Sequence, residues 1–354
     1  MQIQLVIGEQ DKRYLDNLLL FLEKNYMDKL EIISFTSAEM LRNFFNTGKA
    51  DVILIDEAFG VKAEELTGCG KTAYLCNDGT ETERDGIRKI AKYKKPDLIF
   101  KDILDLYAES GSVRKFRKGN HALGNMILVT GFSGGTGAST FAAALARRYA
   151  SLGKKTLYLN LETVGSSADF FSGTGNYRFE DVIFALKSQR ADVNLKMESA
   201  VRIDKSGVYY FEPCSTAMYM LELGDEDILK ILDLLAMAGN YANVVVDMNF
   251  RLSPNFVEIM SRMNRIILVE DGAETANTKF LRTMQSLSVL EEQMKCNVTG
   301  SMSVVYNRFS SSKSSSEIAN LHIPVLGMIP PVKHALVHEI IEFMLKKQEL
   351  FEKL

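Results

Sequence analysis

Apolar runs a few residues long alternate along this chain with stretches whose apolar residues fall at helical spacing. In the first part QIQLVIG, EIISF, DVILIDE, TAYLC and DLIF read as strands. Arg13 to Asn25, Ala38 to Phe45 and the charged stretch Thr82 to Tyr93 read as helices. Such alternation predicts a parallel sheet with helices on both faces. Five strands within residues 1–108 suit a small flavodoxin-like domain.

The pattern breaks from Glu109 to Gly124, ESGSVRKFRKGNHALG, which is polar, basic and poor in core candidates. Residues 109–123 read as a linker. Arg114, Lys115, Arg117 and Lys118 form a cluster that DNA or acidic lipid would attract, although a solvated linker is the plainer reading. From 124 to 354 the alternation resumes with longer elements. Strands are expected at MILVTGF, TLYLNL, VYYFEP, NVVVDM, RIILVE, SVVYN and VLGMI, and helices at Thr140 to Ala150, Glu226 to Ala238 and Thr275 to Glu292. The expected fold class is α/β, with two doubly wound parallel-sheet domains.

The chain has 354 residues, 46% apolar and 25% charged, enough to bury the cores of two domains. Lys plus Arg total 42 and Asp plus Glu 45, a formal charge of −3 that argues against bulk nucleic-acid binding. Cys69, Cys76, Cys214 and Cys296 form no CxxC pair and are expected as reduced thiols. The start MQIQLVIGEQ lacks the marks of a signal peptide, and no apolar run approaches the ~18 residues that span a bilayer. A soluble, cytoplasmic protein is expected. A helix from Leu336 to Phe351 carries apolar positions 337, 340, 341, 344 and 345. Its polar face is not basic enough for an anchor, so core or partner packing is expected, with membrane contact at most peripheral.

The most informative stretch is GFSGGTGAST, residues 131–140, set between a strand and an alanine-rich helix. Glycines at 134, 135 and 137 let backbone N–H groups turn inward around phosphate oxygens, and the helix N-terminus adds positive potential. Ser139 sits where a hydroxyl would coordinate Mg²⁺ on the phosphates.

This loop resembles the deviant Walker A loop, KGGxGK[ST], of the ParA/MinD ATPases. The match places Ser133, Gly134, Gly135, Thr136, Gly137, Ala138, Ser139 and Thr140 around ATP, but Ser133 and Ala138 stand where the family carries lysines. The ending GAST is similar to that of the TadZ/CpaE branch, whose members carry a receiver-like domain ahead of the ATPase domain. Through the resemblance, Asn160 and Glu162 in TLYLNLET take the acidic positions of the DxD switch, with Glu162 positioning the attacking water. Asp169 matches the switch region in spacing. Asp247 in NVVVDMNF becomes the outer-shell Mg²⁺ residue. Asn307 and Arg308 would meet adenine, flanked by Pro330 or Pro331.

The N-terminal part is similar to response-regulator receivers. Asp56 stands at the phosphorylated position and Lys101 at the receiver lysine, while Gly8 and Glu9 occupy the two places of the acidic pair and Cys76 stands near the usual hydroxyl. A Mg²⁺ site from Glu9 and Asp56 alone would be poor, so a degenerate receiver used for docking is expected. The resemblance implies an ATP·Mg²⁺-binding, slowly hydrolysing homodimer. It would assemble or place a Tad (Flp) type IV-like pilus secretion system, present its receiver-like domain to pilus proteins, and sit in the cytoplasm or at the cell pole. An active ParA/MinD-type positioning ATPase for DNA or the division site, and a phosphorylation-responsive regulator, are the alternatives. A cation from elsewhere, Arg251 or Lys313, could compensate for the missing lysines.

Overall fold

The computed structural model describes residues 2–66, 68–78, 81–109, 124–188, 192–310, 314–318 and 321–353. The expected linker beyond Glu109, with Arg114, Lys115, Arg117 and Lys118, lies outside them, as does Lys313. By its contacts the chain divides into two units, Met1–Arg117 with Phe184–Ala200, and Lys118–Ile183 with Val201–Leu354.

The first unit opens with β1 (Ile3–Gly8), α1 (Lys12–Tyr26), β2 (Leu30–Phe35), α2 (Ala38–Phe45) and β3 (Val52–Asp56). α1 starts at Asp11, whose carboxylate accepts from the amides of Arg13 and Tyr14 at 3.0 and 3.1 Å, an N-cap. It buries Leu15, Leu18 and Leu22, one stripe of the helix. β4 (Lys71–Cys76), β5 (Glu83–Arg84), β6 (Ile87–Ala91) and α3 (Pro96–Ala108) follow.

Two expectations fail here. The helix expected from Thr82 to Tyr93 is a hairpin of β5 and β6, turned by Asp85 and Gly86 at φ 53° and 77°. Asp-Gly with both residues left-handed suits a type I′ turn, which no helix can contain. DLIF, expected as a strand, opens α3 instead. Pro96 takes the first helical position, where its missing N–H costs nothing, and Ile99, Ile103 and Leu106 continue a buried helical stripe. The sheet order is β2-β1-β3-β4-β6-β5, parallel except for β5. β6 is therefore the fifth parallel strand.

The chain continues through β7 (Asn125–Thr130), α4 (Ala138–Ser151), β8 (Thr156–Asn160), α5 (Phe179–Ser188) and α6 (Val193–Ala200). α6 belongs to the first unit. Leu195 enters its core beside α1 and α3, and Lys196 and Ser199 bond the fully buried Asp105 of α3, which also takes Arg88 at 2.6 Å.

The second unit resumes with β9 (Val201–Ile203), β10 (Tyr209–Phe211), α7 (Asp225–Ala238), β11 (Asn243–Asp247), α8 (Pro254–Ser261) and β12 (Arg265–Glu270). α9 (Glu274–Met294), β13 (Met302–Asn307), β14 (Val325–Ile329), α10 (Val337–Leu345) and α11 (Gln348–Glu352) complete it. Its sheet runs β14-β13-β12-β7-β11-β8-β10-β9, parallel except for the short edge strand β9. The order changes direction beside β7, and in such sheets ligands bind at the carboxyl ends of the strands flanking that point. Ala142, Ala143, Ala144 and Ala146 of α4 are fully buried, so the helix after β7 lies close on the sheet.

The helix expected over Leu336 to Phe351 is two, α10 and α11, interrupted at Lys346 and Lys347. Ile341 and Met344 are buried in the same core as Phe141, which accounts for the apolar spacing without an anchor. Among the described residues no helix is long and apolar enough to cross a membrane.

Candidate functional site

The glycine loop leaves β7 and enters α4. Gly131 is obligatory, since a Cβ there would lie 2.7 Å from the Val269 carbonyl and 2.8 Å from Thr136 Oγ1. Gly135 and Gly137 have φ of 76° and 88°, the left-handed region that side chains resist. A Cβ on Gly137 would also meet Asn307 Nδ2 at 2.4 Å. Among the described residues nothing stands within 4 Å of the Cβ positions of Gly134 and Gly135, so this arc of backbone is open. Loop and helix N-terminus together make the kind of cradle that can take an anion.

Three oxygen-bearing side chains meet beside it. Ser139 Oγ, in the first turn of α4, donates to Glu162 Oε2 at 3.2 Å, and Asp247 at the end of β11 lies within electrostatic reach of both. Asp247 is 1% exposed. Burial first, then the charge of Glu162, pushes its carboxyl up to about 7, against the pull of the Tyr158 and Ser139 hydroxyls. Tyr158 OH donates to Asp247 Oδ2 at 2.6 Å from inside the core. The Glu162 amide donates to Asn160 Oδ1 at 3.0 Å, turning the chain after β8. Gly165 has no room for a Cβ, which would stand 2.7 Å from Glu162 Oε2. A hydroxyl and two carboxylates are a hard-oxygen set of the kind Mg²⁺ takes.

Asp169 ends a 3₁₀ turn, Ser167–Asp169, anchored by the Ser167 hydroxyl on the Phe211 carbonyl at 2.6 Å. Phe170 and Phe171 then pack on the Tyr158 ring. A cavity of about 240 Å³ opens between this segment and the chain after β10, with Glu162, Thr163, Ser166 and Cys214 on its walls.

On the other side of the loop, Asn307, Arg308, Pro330 and Pro331 line a single cleft with Gly137 and Thr140. Asn307 Nδ2 donates to the Thr136 carbonyl at 2.7 Å, and Arg308 Nη1 to the Gly135 carbonyl at 2.8 Å. Of the cations named from sequence, Arg251 is engaged with Asp225.

Sequence reasoning missed two residues. Tyr158 read as an ordinary strand residue; its signal was a hydroxyl two positions before the switch-like Asn160 on the same strand face. Glu270, fully buried at the end of β12, accepts from the Phe132 amide at 2.9 Å, and burial pushes its carboxyl up to about 7. Its signal was a carboxylate closing an otherwise apolar strand.

In the first unit Asp56 and Glu9 do converge, but not with Lys101. Because the DLIF segment is helical, Lys101 lies inside α3, whereas Lys92 follows the fifth parallel strand. Lys92 Nζ forms ion pairs with Glu9 Oε2 at 2.6 Å and with Asp56 Oδ2, and all three are almost wholly buried. The remaining carboxylate oxygens accept from backbone amides, Asp11 to Glu9 at 2.9 Å and Ala58 to Asp56 at 2.6 Å. Cys76 is buried, with its thiol on the Asp78 carbonyl at 2.7 Å.

Fold and site thus define an α/β protein of the nucleotide-binding class, with a glycine loop at the switch point of its second sheet, preceded by a receiver-like unit. Comparison with known families gives the assignment. Residues 127–337 match the CobQ/CobB/MinD/ParA nucleotide binding domain, and residues 1–108 match the TadZ-like receiver domain. The chain belongs to the CobQ/CobB/MinD/ParA nucleotide-binding family, with a TadZ-like receiver domain in front.

Among solved structures, a ParA family ATPase from Chlorobium tepidum TLS is similar at TM-score 0.52 and 15% identity, over 66% of this chain and 96% of that one. The septum site-determining protein MinD from Pyrococcus horikoshii OT3, complexed with Mg-ADP, is similar at TM-score 0.50 and 17% identity, over 65% and 92%. These likenesses concern the fold. No curated protein sequence gave a match.

Proposed function

We propose that this protein binds ATP·Mg²⁺, hydrolyses it slowly, and uses the bound state as a conformational signal in assembling a Tad-type pilus secretion apparatus. It acts as a homodimer in the cytoplasm or at the cell pole, offering its receiver-like domain to pilus proteins. The observation that carries the reading is the convergence of Ser139, Glu162 and Asp247 beside an open glycine loop that lacks both family lysines. Ser139 would hold Mg²⁺ directly and Asp247 through water. When bound, the ion offsets the charge of the triphosphate. Glu162 would orient the attacking water, and Asn160, which cannot act as a base, shapes the turn that presents it.

Slow turnover follows from the absences. Replacing the loop lysine by Ala138 removes a charge-assisted bond worth about 1.5–3 kcal/mol. A cation reaching the phosphates in the manner of an arginine finger is worth ~10³–10⁵ in rate, and Ser133 carries no charge. Equilibrium dialysis of the full chain with ATP·Mg²⁺, beside single-turnover hydrolysis, tests this. Saturable binding with turnover far below that of a two-lysine relative is expected. Ordinary turnover, or no binding, would refute it.

The TadZ-like receiver domain supports the pilus role over a DNA-positioning ATPase. The phosphorylation-responsive alternative is disfavoured by the acidic pair, of which Glu9 remains and Gly8 takes the other place, leaving too few carboxylates beside Asp56 for a good Mg²⁺ site.

A further inference from the structure

We propose that Arg308, reaching the glycine loop from the end of β13, stands in for the absent loop lysine by bracing the loop and placing a positive charge beside the phosphates. The proposal rests on the nucleotide-binding reading above.

Arg308 has φ 56°, a left-handed conformation uncommon for a residue with a long side chain. Such positions persist where the surrounding structure holds them. Here the backbone leaves β13 just after Asn307 is buried against the loop, and the next side chain folds back onto the neighbouring carbonyl. The two donors therefore take consecutive carbonyls, Thr136 and Gly135, from one direction. Gly137 leaves the space that Asn307 needs.

The charge of Arg308 is also free. Among the described residues no carboxylate pairs with it, whereas Arg251 is held by Asp225 and Arg147 by Glu342. The arc of Gly134 and Gly135 beside it is open, and α4 points its N-terminus into the same space. A guanidinium bound to the outer rim of an anion cradle lowers the repulsion among phosphates drawn into it. A lysine at 138 would work from inside the loop; Arg308 works from the rim. The Asn307 amide, spent on Thr136, likewise serves the loop before any base.

The test is a double-substitution cycle on the full chain with Arg308→Gln and Ala138→Lys. Binding of ATP·Mg²⁺ and of adenosine is measured by competition against a fluorescent ATP analogue. With alanine at 138, Arg308→Gln is expected to weaken ATP·Mg²⁺ binding about tenfold and leave adenosine affinity unchanged. With lysine at 138 the same change is expected to cost less than about threefold, the non-additivity of two groups sharing one task. Arg308→Lys, which keeps the charge and loses the planar fork, should fall between.

Equal weakening of ATP and adenosine would make Arg308 a base contact and overturn the proposal. The same loss in both backgrounds, or no loss, would overturn it too. If the native chain bound adenosine but gained no affinity from the phosphates, the nucleotide reading itself would fall, visibly and separately.

Discussion

Glu270→Gln is the cleanest perturbation of the loop's foundation. The Glu270 side chain is fully buried at the end of β12. One oxygen accepts from the Phe132 amide at 2.9 Å, and among the described residues the other has no partner. Burial raises its carboxyl from the ordinary 4.5 to about 7. The folded chain therefore holds the proton more tightly than the unfolded chain, and stability falls as pH rises through that interval. At about 1.4 kcal/mol per pH unit, the ionised group costs about 3 kcal/mol above pH 7 and nothing below 4.5. Glutamine keeps the acceptor for Phe132 and cannot ionise. A new buried amide donor would add a constant cost of about 1–3 kcal/mol, so the informative quantity is how the difference between variants changes with pH. Urea unfolding of the full chain, followed by circular dichroism from about pH 5 to about pH 9, measures it. The variant should gain on the native chain by about 3 kcal/mol across that range, and a difference constant in pH would refute the reasoning.

Tyr158→Phe removes the hydroxyl that holds Asp247 Oδ2; more Mg²⁺ should be needed for half-maximal nucleotide binding, with affinity in excess Mg²⁺ nearly restored. Asp105→Ala removes the fully buried carboxylate from Arg88 and Lys196 and leaves them Glu109 at the half-exposed margin. It should destabilise the first unit by about 1–3 kcal/mol, read from its denaturation midpoint. Acetyl phosphate should leave the intact mass of the chain unchanged, because Gly8 leaves Glu9 and Asp56 as a poor Mg²⁺ site; a single phosphoryl addition that disappears in Asp56→Asn would contradict that account.

Much of the architecture was written in local pattern. All strands of the second sheet but the short edge strand β9 announced themselves as apolar runs, and the glycine loop as a turn whose residues no ordinary strand-to-helix connection needs. What failed was local ambiguity resolved by distant context. DLIF is too short to tell a period of two from one of 3.6, and only Pro96 and the stripe beyond it mark a helix. Asp85-Gly86 was a readable hairpin signal inside a charged stretch, but the charges suggested a solvated helix. Those two errors together moved the receiver lysine from Lys92 to Lys101. The place of α6 could not be read at all. Its pairing with Asp105 joins residues far apart in the chain, and nothing near Lys196 in sequence announces the partner. In the nucleotide unit Ser139, Glu162 and Asp247 lie together beside the loop and Asp169 is not brought to it, while Tyr158 and Glu270 escaped because a buried polar group looks like any strand residue until its neighbours are known.

The account turns on a site that keeps the means to hold ATP·Mg²⁺ and lacks the charges that speed its cleavage. Rapid-quench analysis of stoichiometric ATP on the purified full chain tests this most directly. The account predicts that bound nucleotide remains largely triphosphate over many minutes and that Ser133→Lys with Ala138→Lys shortens its lifetime. Conversion to ADP by the native chain at the rate of the doubly substituted one would contradict it.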